Sequence, residues 1–198
     1  NKFDFARRLA MSLGYIALSS HNRASLFSFS DRGVERLTAL RGRSRTRDMG
    51  QWLLDLTPSG GTDFVEACKT LSTARQGRGV LVVISDCLSE DGLSQGLKYL
   101  ARGGWDVFLM QTLAPEEIDP EHEGMEGDVR LEDVETGNTC EITVTSPLIE
   151  KYKERLHSYC EELRTQCARI GVGSARVSTD IDMETLLVEY LRTRGLLR

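Results

Sequence analysis

What is scarce in this sequence narrows its class before any motif is found. No run approaches the roughly 18 apolar residues that a membrane-spanning helix needs, and no cationic stretch leads into an apolar one near Asn1. The five cysteines (Cys68, Cys87, Cys140, Cys160, Cys167) are odd in number, form no Cys-x-x-Cys pair and have no histidine at ligand spacing. That argues against a disulfide framework and a zinc site, and predicts a reducing, cytoplasmic setting. Histidine is as rare: His21, His122 and His157 have no Ser or Cys partner in any recognisable arrangement, and neither a Gly-x-Ser-x-Gly elbow nor a P-loop occurs. Lysine is scarce among the cations, since 20 of the 25 basic residues are Arg, so the arginine-rich stretch 41–47 reads first as a solvated loop and in part as compositional bias.

What is present is a soluble globular composition, 40% hydrophobic and 28% charged. The net charge of −5 hides an asymmetry. Between Leu113 and Glu141 eleven acidic residues face Arg130 alone, whereas the remainder carries 24 basic and 19 acidic residues. An acidic segment is thus appended to a mildly basic body. With no recognition module or aromatic platform, nucleic acid is not the expected partner.

The chain opens at Asn1 directly into helical periodicity, with Phe3, Ala6, Leu9, Ala10 and Leu13 at three- and four-residue steps. A true beginning upstream is therefore expected, and any membrane anchor would belong there. The spacing predicts a helix over 4–18, strands at 24–30 and 32–40, and helices at 47–56 and 64–74. "GVLVVIS" (79–85) has no polar alternation and reads as a strand buried on both faces, central in a mostly parallel sheet. A helix over 92–101 and a strand over 105–113 complete a crossover. An acidic β-hairpin insertion is expected within 114–145, then a long helix to about Arg169, a strand over 174–179 and a final helix stopped by Gly195. If extended, Arg41, Arg43, Arg45 and Arg47 would project from one side. The expected architecture is one α/β domain over 1–198, a three-layer α/β/α sandwich with helices on both faces of the sheet.

In such sheets ligands sit at the carboxyl ends of central strands. Asp86, just beyond the run ending in Ser85, stands where a strand end would present it to a metal or a turn. "SGGTDF" (59–64) offers a second loop: Asp63 and Glu66 can cap the helix that follows, which leaves the Thr62 hydroxyl available, and Gly60 and Gly61 permit close backbone approach. The alternative, that Thr62 is itself the cap and the glycines are only a turn, remains open on local grounds.

"GGTD" followed by a buried strand ending in "SD" resembles the von Willebrand factor A-like fold. With "NKFDFARRLAMSLGYIAL", "VLVVISDCLSEDG", "DVFLMQTLAPEEIDP", "LEDVETG" and "STDIDMETLLVEYL" in the same order, the chain resembles the bacterial family known as domain of unknown function 58. The resemblance implies a metal-ion-dependent adhesion site holding Mg²⁺ or Mn²⁺. Thr62 would be the second-loop ligand and Asp86 the third-loop carboxylate, with Gly60, Gly61, Asp63 and Ser85 on the partner-binding surface. It also implies a non-enzymatic interaction module with a protein partner, a MoxR-type AAA+ ATPase. The Asp-x-Ser-x-Ser loop of such sites is absent from these 198 residues, and with it the first strand. The chain is therefore expected to bind metal weakly or not at all, and its sheet to have an open slot with exposed strand edges. The competing expectation is a metal-dependent hydrolase or phosphotransfer enzyme using Asp86 with Glu90 or Asp91.

Overall fold

The computed structural model describes residues 1–30, 32–58, 61–73, 79–88, 92–121, 127–132 and 139–190. Helix α1 (Lys2–Ser19) is capped by the Asn1 side chain, which accepts from the Phe3 N–H at 2.9 Å. It leads into an antiparallel hairpin of β1 (Arg23–Ser30) and β2 (Gly33–Arg41). Ala24, Leu26 and Leu40 point to the same side of that hairpin. They pack with Leu18 of α1 and with Met49 and Leu53 of α2 (Thr46–Asp55) in one buried cluster. Helices α1 and α2 approach closely because Gly14 has no side chain: a Cβ there would lie 2.4 Å from the Met49 Sδ.

Helix α3 (Phe64–Thr73) precedes β3 (Val80–Ser85), α4 (Leu93–Arg102) and β4 (Asp106–Leu113). A short α5 (Pro115–Ile118) then leads to a second hairpin, β5 (Gly127–Glu132) with β6 (Thr139–Val144). The long α6 (Ser146–Arg169), β7 (Gly173–Ser178) and a single turn α7 (Met183–Thr185) follow. Strands β3, β4 and β7 form a parallel sheet in the order β3-β4-β7.

The alternation of β4 divides the core. Val107 and Leu109 join Leu97 and Leu100 of α4 and Leu163 and Cys167 of α6, while Phe108 and Met110 join Phe5 and Leu9 of α1 on the opposite face. Each such fully buried side chain contributes about 1.5–3 kcal/mol of hydrophobic free energy. Helices thus cover both faces of a parallel sheet, in a mixed α/β architecture.

Three sequence expectations change. First, β4 is the strand whose residues are buried almost throughout, whereas β3 is only partly buried and lies at the edge of its sheet. A cavity of about 2210 Å³ opens beside it, lined on one side by Val80–Ser85 and on the other by Arg23–Phe29 of β1. Among the described residues β1 pairs only with β2 and β3 only with β4, so two strand edges face one space.

Second, of the four arginines that would share one side if extended, only Arg41 is extended, at the end of β2. Arg43–Arg45 form a 3₁₀ turn entered through Gly42 at φ +82°, and Arg47 lies in α2, because the chain must reverse from β2 into that helix. Arg43 donates to the Tyr15 hydroxyl at 2.7 Å, with its guanidinium 5.7 Å from the ring centre. Third, among the described residues the last helix is α-helical for one turn only. It is capped by Asp182, whose carboxylate accepts from the Thr185 N–H at 3.0 Å, and Leu186–Tyr190 continue as π-helix around the buried Leu186. Gly195 and the predicted hairpin turn at 135–138 lie outside the described residues, as does the Cys140 side chain.

Candidate functional site

The carboxyl end of β3 is built from short-range hydrogen bonds that a Ser-Asp-Cys sequence supplies locally. The Ser85 hydroxyl accepts from the Cys87 N–H at 3.1 Å, and Asp86 Oδ1 accepts from the Leu88 N–H at 3.3 Å. Cys87 takes φ +58°, unusual for a residue other than glycine, which turns the chain sharply off the strand. Two neighbours hold this turn. Gln111 of β4, only 4% exposed and opposite Ser85 in register, donates to the Asp86 carbonyl at 3.3 Å. The Tyr159 hydroxyl of α6 donates to the Cys87 carbonyl. Cys87 is itself buried, and burial pushes its thiol up to about 12, so it is an apolar plug rather than a nucleophile.

The Asp86 carboxylate is not free. Lys2, in the first turn of α1, donates to Asp86 Oδ2 at 2.7 Å and to Glu117 Oε1 at 2.6 Å. Glu117 sits in α5, directly after β4, and its other oxygen accepts from the Ala114 N–H at 2.8 Å. One ammonium therefore bridges the loops at the carboxyl ends of two adjacent parallel strands. Burial alone would lower the Lys2 pKa, but its hydrogen bonds to Asp86 and Glu117 and their two charges together outweigh that and raise it.

The second predicted loop reaches the same place. Thr62, Ser85, Asp86 and Lys2 all line the cavity between β1 and β3. Asp63 is the helix cap: its Oδ1 accepts from the Glu66 N–H at 2.9 Å at the start of α3. The exposed Thr62 hydroxyl makes no hydrogen bond among the described residues. Gly61 is half-buried beside it; Gly60, Glu90 and Asp91 lie outside the described residues.

Thr62 and Asp86 offer two oxygens where Mg²⁺ requires near-octahedral coordination, and one carboxylate oxygen already binds an ammonium. Among the described residues no group of three or more His, Cys, Asp or Glu is placed to hold an ion. Nor is any described helix long and apolar enough to cross a membrane. Lys2 and Glu117 are the residues that sequence reasoning missed. The strand-end rule that selected Asp86 after β3, applied equally to β4, selects the "APEE" loop and so Glu117.

The site thus belongs to a mixed α/β domain whose polar residues gather where parallel strands end. The chain belongs to the family described as "Protein of unknown function DUF58", whose sequence profile matches residues 1–161. The family resemblance read from the sequence holds over that span; "STDIDMETLLVEYL" lies beyond it. The chain is similar to the Uncharacterized protein MAV169 of Mycobacterium avium, at 26% identity over 133 residues, which cover 67% of this chain and 76% of that protein. Among solved structures it is similar to the crystal structure of the conserved hypothetical protein BatB from Bacteroides thetaiotaomicron. The TM-score is 0.55 at 15% identity, over 98% of this chain and 88% of that one, a likeness of fold alone.

Proposed function

We propose that this chain is a protein-interaction module that engages a protein partner at the carboxyl end of its parallel sheet. In this reading the fold is von Willebrand factor A-like, a three-layer α/β/α sandwich, and the partner is a MoxR-type AAA+ ATPase or a complex it helps assemble. The observation that carries it is the convergence of Thr62, Ser85 and Asp86, from two separate loops, on the rim of one cavity. In a longer polypeptide, an upstream strand carrying an Asp-x-Ser-x-Ser loop would lie between β1 and β3 and bring the missing oxygen ligands for Mg²⁺ or Mn²⁺ to Thr62 and Asp86. The hydrolase alternative gains a second carboxylate in Glu117, but both carboxylates are bound to the Lys2 ammonium, which favours the interaction role.

The test is a pull-down of partners by the upstream-extended polypeptide, with and without Mg²⁺. Thr62→Ala and Asp86→Ala are each expected to abolish Mg²⁺-dependent capture while leaving the circular dichroism spectrum unchanged. Capture that persists in both variants would refute the proposal. Turnover of a phosphate ester that disappears in Asp86→Asn would instead favour the hydrolase.

A further inference from the structure

We infer that Lys2 is the standing counter-ion of the Asp86 and Glu117 carboxylates, an ammonium tethered where a divalent cation would otherwise be needed. The inference rests on the reading of Asp86 as the interaction-site carboxylate and concerns what controls it. Lys2 Nζ lies 2.7 Å from Asp86 Oδ2 and 2.6 Å from Glu117 Oε1, both within the range of charge-assisted bonds. The side chain is 32% exposed, so the contact is partly sheltered from solvent.

Its position on α1 strengthens the argument. Lys2 is the first residue of that helix, where the unpaired N–H groups make a cation unfavourable. A lysine at that end is explained by the two carboxylates it meets and not by the helix it starts. The contact also joins residues 84 and 115 positions apart, tying α1 to the loops that end both β3 and β4. Because the ammonium is covalently attached, its effective concentration at Asp86 is high, and without further oxygen ligands beside Thr62 and Asp86 an ion that sheds its water reluctantly is a poor competitor for it. A ligand that takes Asp86 must therefore displace Lys2, and doing so removes the polar tie between the start of α1 and the loops that end β3 and β4, while Phe5 stays packed on the sheet. The partner site and the amino end of α1 are coupled through this contact.

The test reads the amine itself and needs no partner. The chain is acetylated under native conditions with limiting reagent, and each lysine is followed by mass spectrometry. Lys98 and Lys151, both exposed, serve as references. Lys2 is expected to react at least about fivefold more slowly than either, and millimolar Mg²⁺ or Mn²⁺ is expected to leave that protection unchanged. The double variant Asp86→Asn, Glu117→Gln is expected to bring Lys2 to the reference rate. A Lys2 as reactive as Lys98 in the native chain would overturn the inference. So would a metal ion that raises its reactivity to the reference rate, since the ion would then be the preferred partner of Asp86. Either result leaves the partner pull-down to be judged separately, because it concerns Lys2 and not the binding surface.

Discussion

Cys87 and Lys2 sit within one loop of each other and illustrate opposite uses of burial. Burial pushes the thiols of Cys68 and Cys87 up to about 12 and that of Cys167 up to about 11. A thiol so raised is protonated at neutral pH, and only the thiolate is nucleophilic. Native chain treated with a thiol-reactive disulfide near neutral pH is therefore expected to spare these three residues, read by peptide mapping of the labelled sites, and to label them only on unfolding in guanidinium. Prompt reaction at Cys87 would show that the loop after β3 opens. For Lys2 the sign is reversed, because its carboxylate partners favour the charged form and raise the folded-state pKa above the ordinary 10.5. The stability it contributes is fully present below that ordinary value and disappears as pH rises through the raised one. Lys2→Met should thus melt below the native chain at neutral pH, by roughly 1 kcal/mol given the partial exposure. The gap should close when melts are repeated at strongly alkaline pH. A gap independent of pH would mean that the methylene packing of Lys2, and not its charge, is responsible.

Between elements, the contact of α3 with α4 is sensitive to a single atom. Gly96 sits mid-helix, where glycine costs about 0.5–1 kcal/mol relative to alanine. A Cβ at this position would lie 2.6 Å from the Phe64 ring and 3.0 Å from the Cys68 sulfur. Overpacking of about 1–3 kcal/mol outweighs the propensity gain, so Gly96→Ala is expected to destabilise the chain in urea melts, whereas a stabilised variant would show that α3 yields. Most of these elements were legible from periodicity, which is why α1, α2, α4 and α6 fall within a residue or two of expectation. What periodicity could not register is tertiary. Arg43–Arg45 curl because β2 must turn into α2, and the Lys2 contacts with Asp86 and Glu117 span separations that no local pattern encodes. Asp86 and Thr62 were legible for a different reason: a strand-end position and a loop with a spare hydroxyl are both sequence-local features.

At the scale of the whole molecule, the disagreement over β3 is the informative one. Its sequence, Val80 to Ile84 without a polar break, suits a strand buried on both faces with neighbours on both edges, yet Val80 is 56% exposed and the strand borders the 2210 Å³ cavity. Among the described residues strand β1 also presents an unpaired edge to the same cavity, and natural sheets seldom leave such edges bare. The local chemistry of β3 thus fits a sheet with one more strand than β3-β4-β7 contains. Hydrogen exchange can decide whether the space behaves as an open slot. In this chain the alternate amides of β3 that do not face β4 are expected to exchange far faster than the amides of β4, which has partners on both edges. The same amides should become protected in a polypeptide extended upstream of Asn1, if its added segment enters the cavity. Uniformly slow exchange along β3 in the present chain would mean that the slot is already closed, by collapse of the β1–β2 hairpin onto the sheet or by a second copy. Sedimentation at two concentrations separates those cases, since only association depends on concentration.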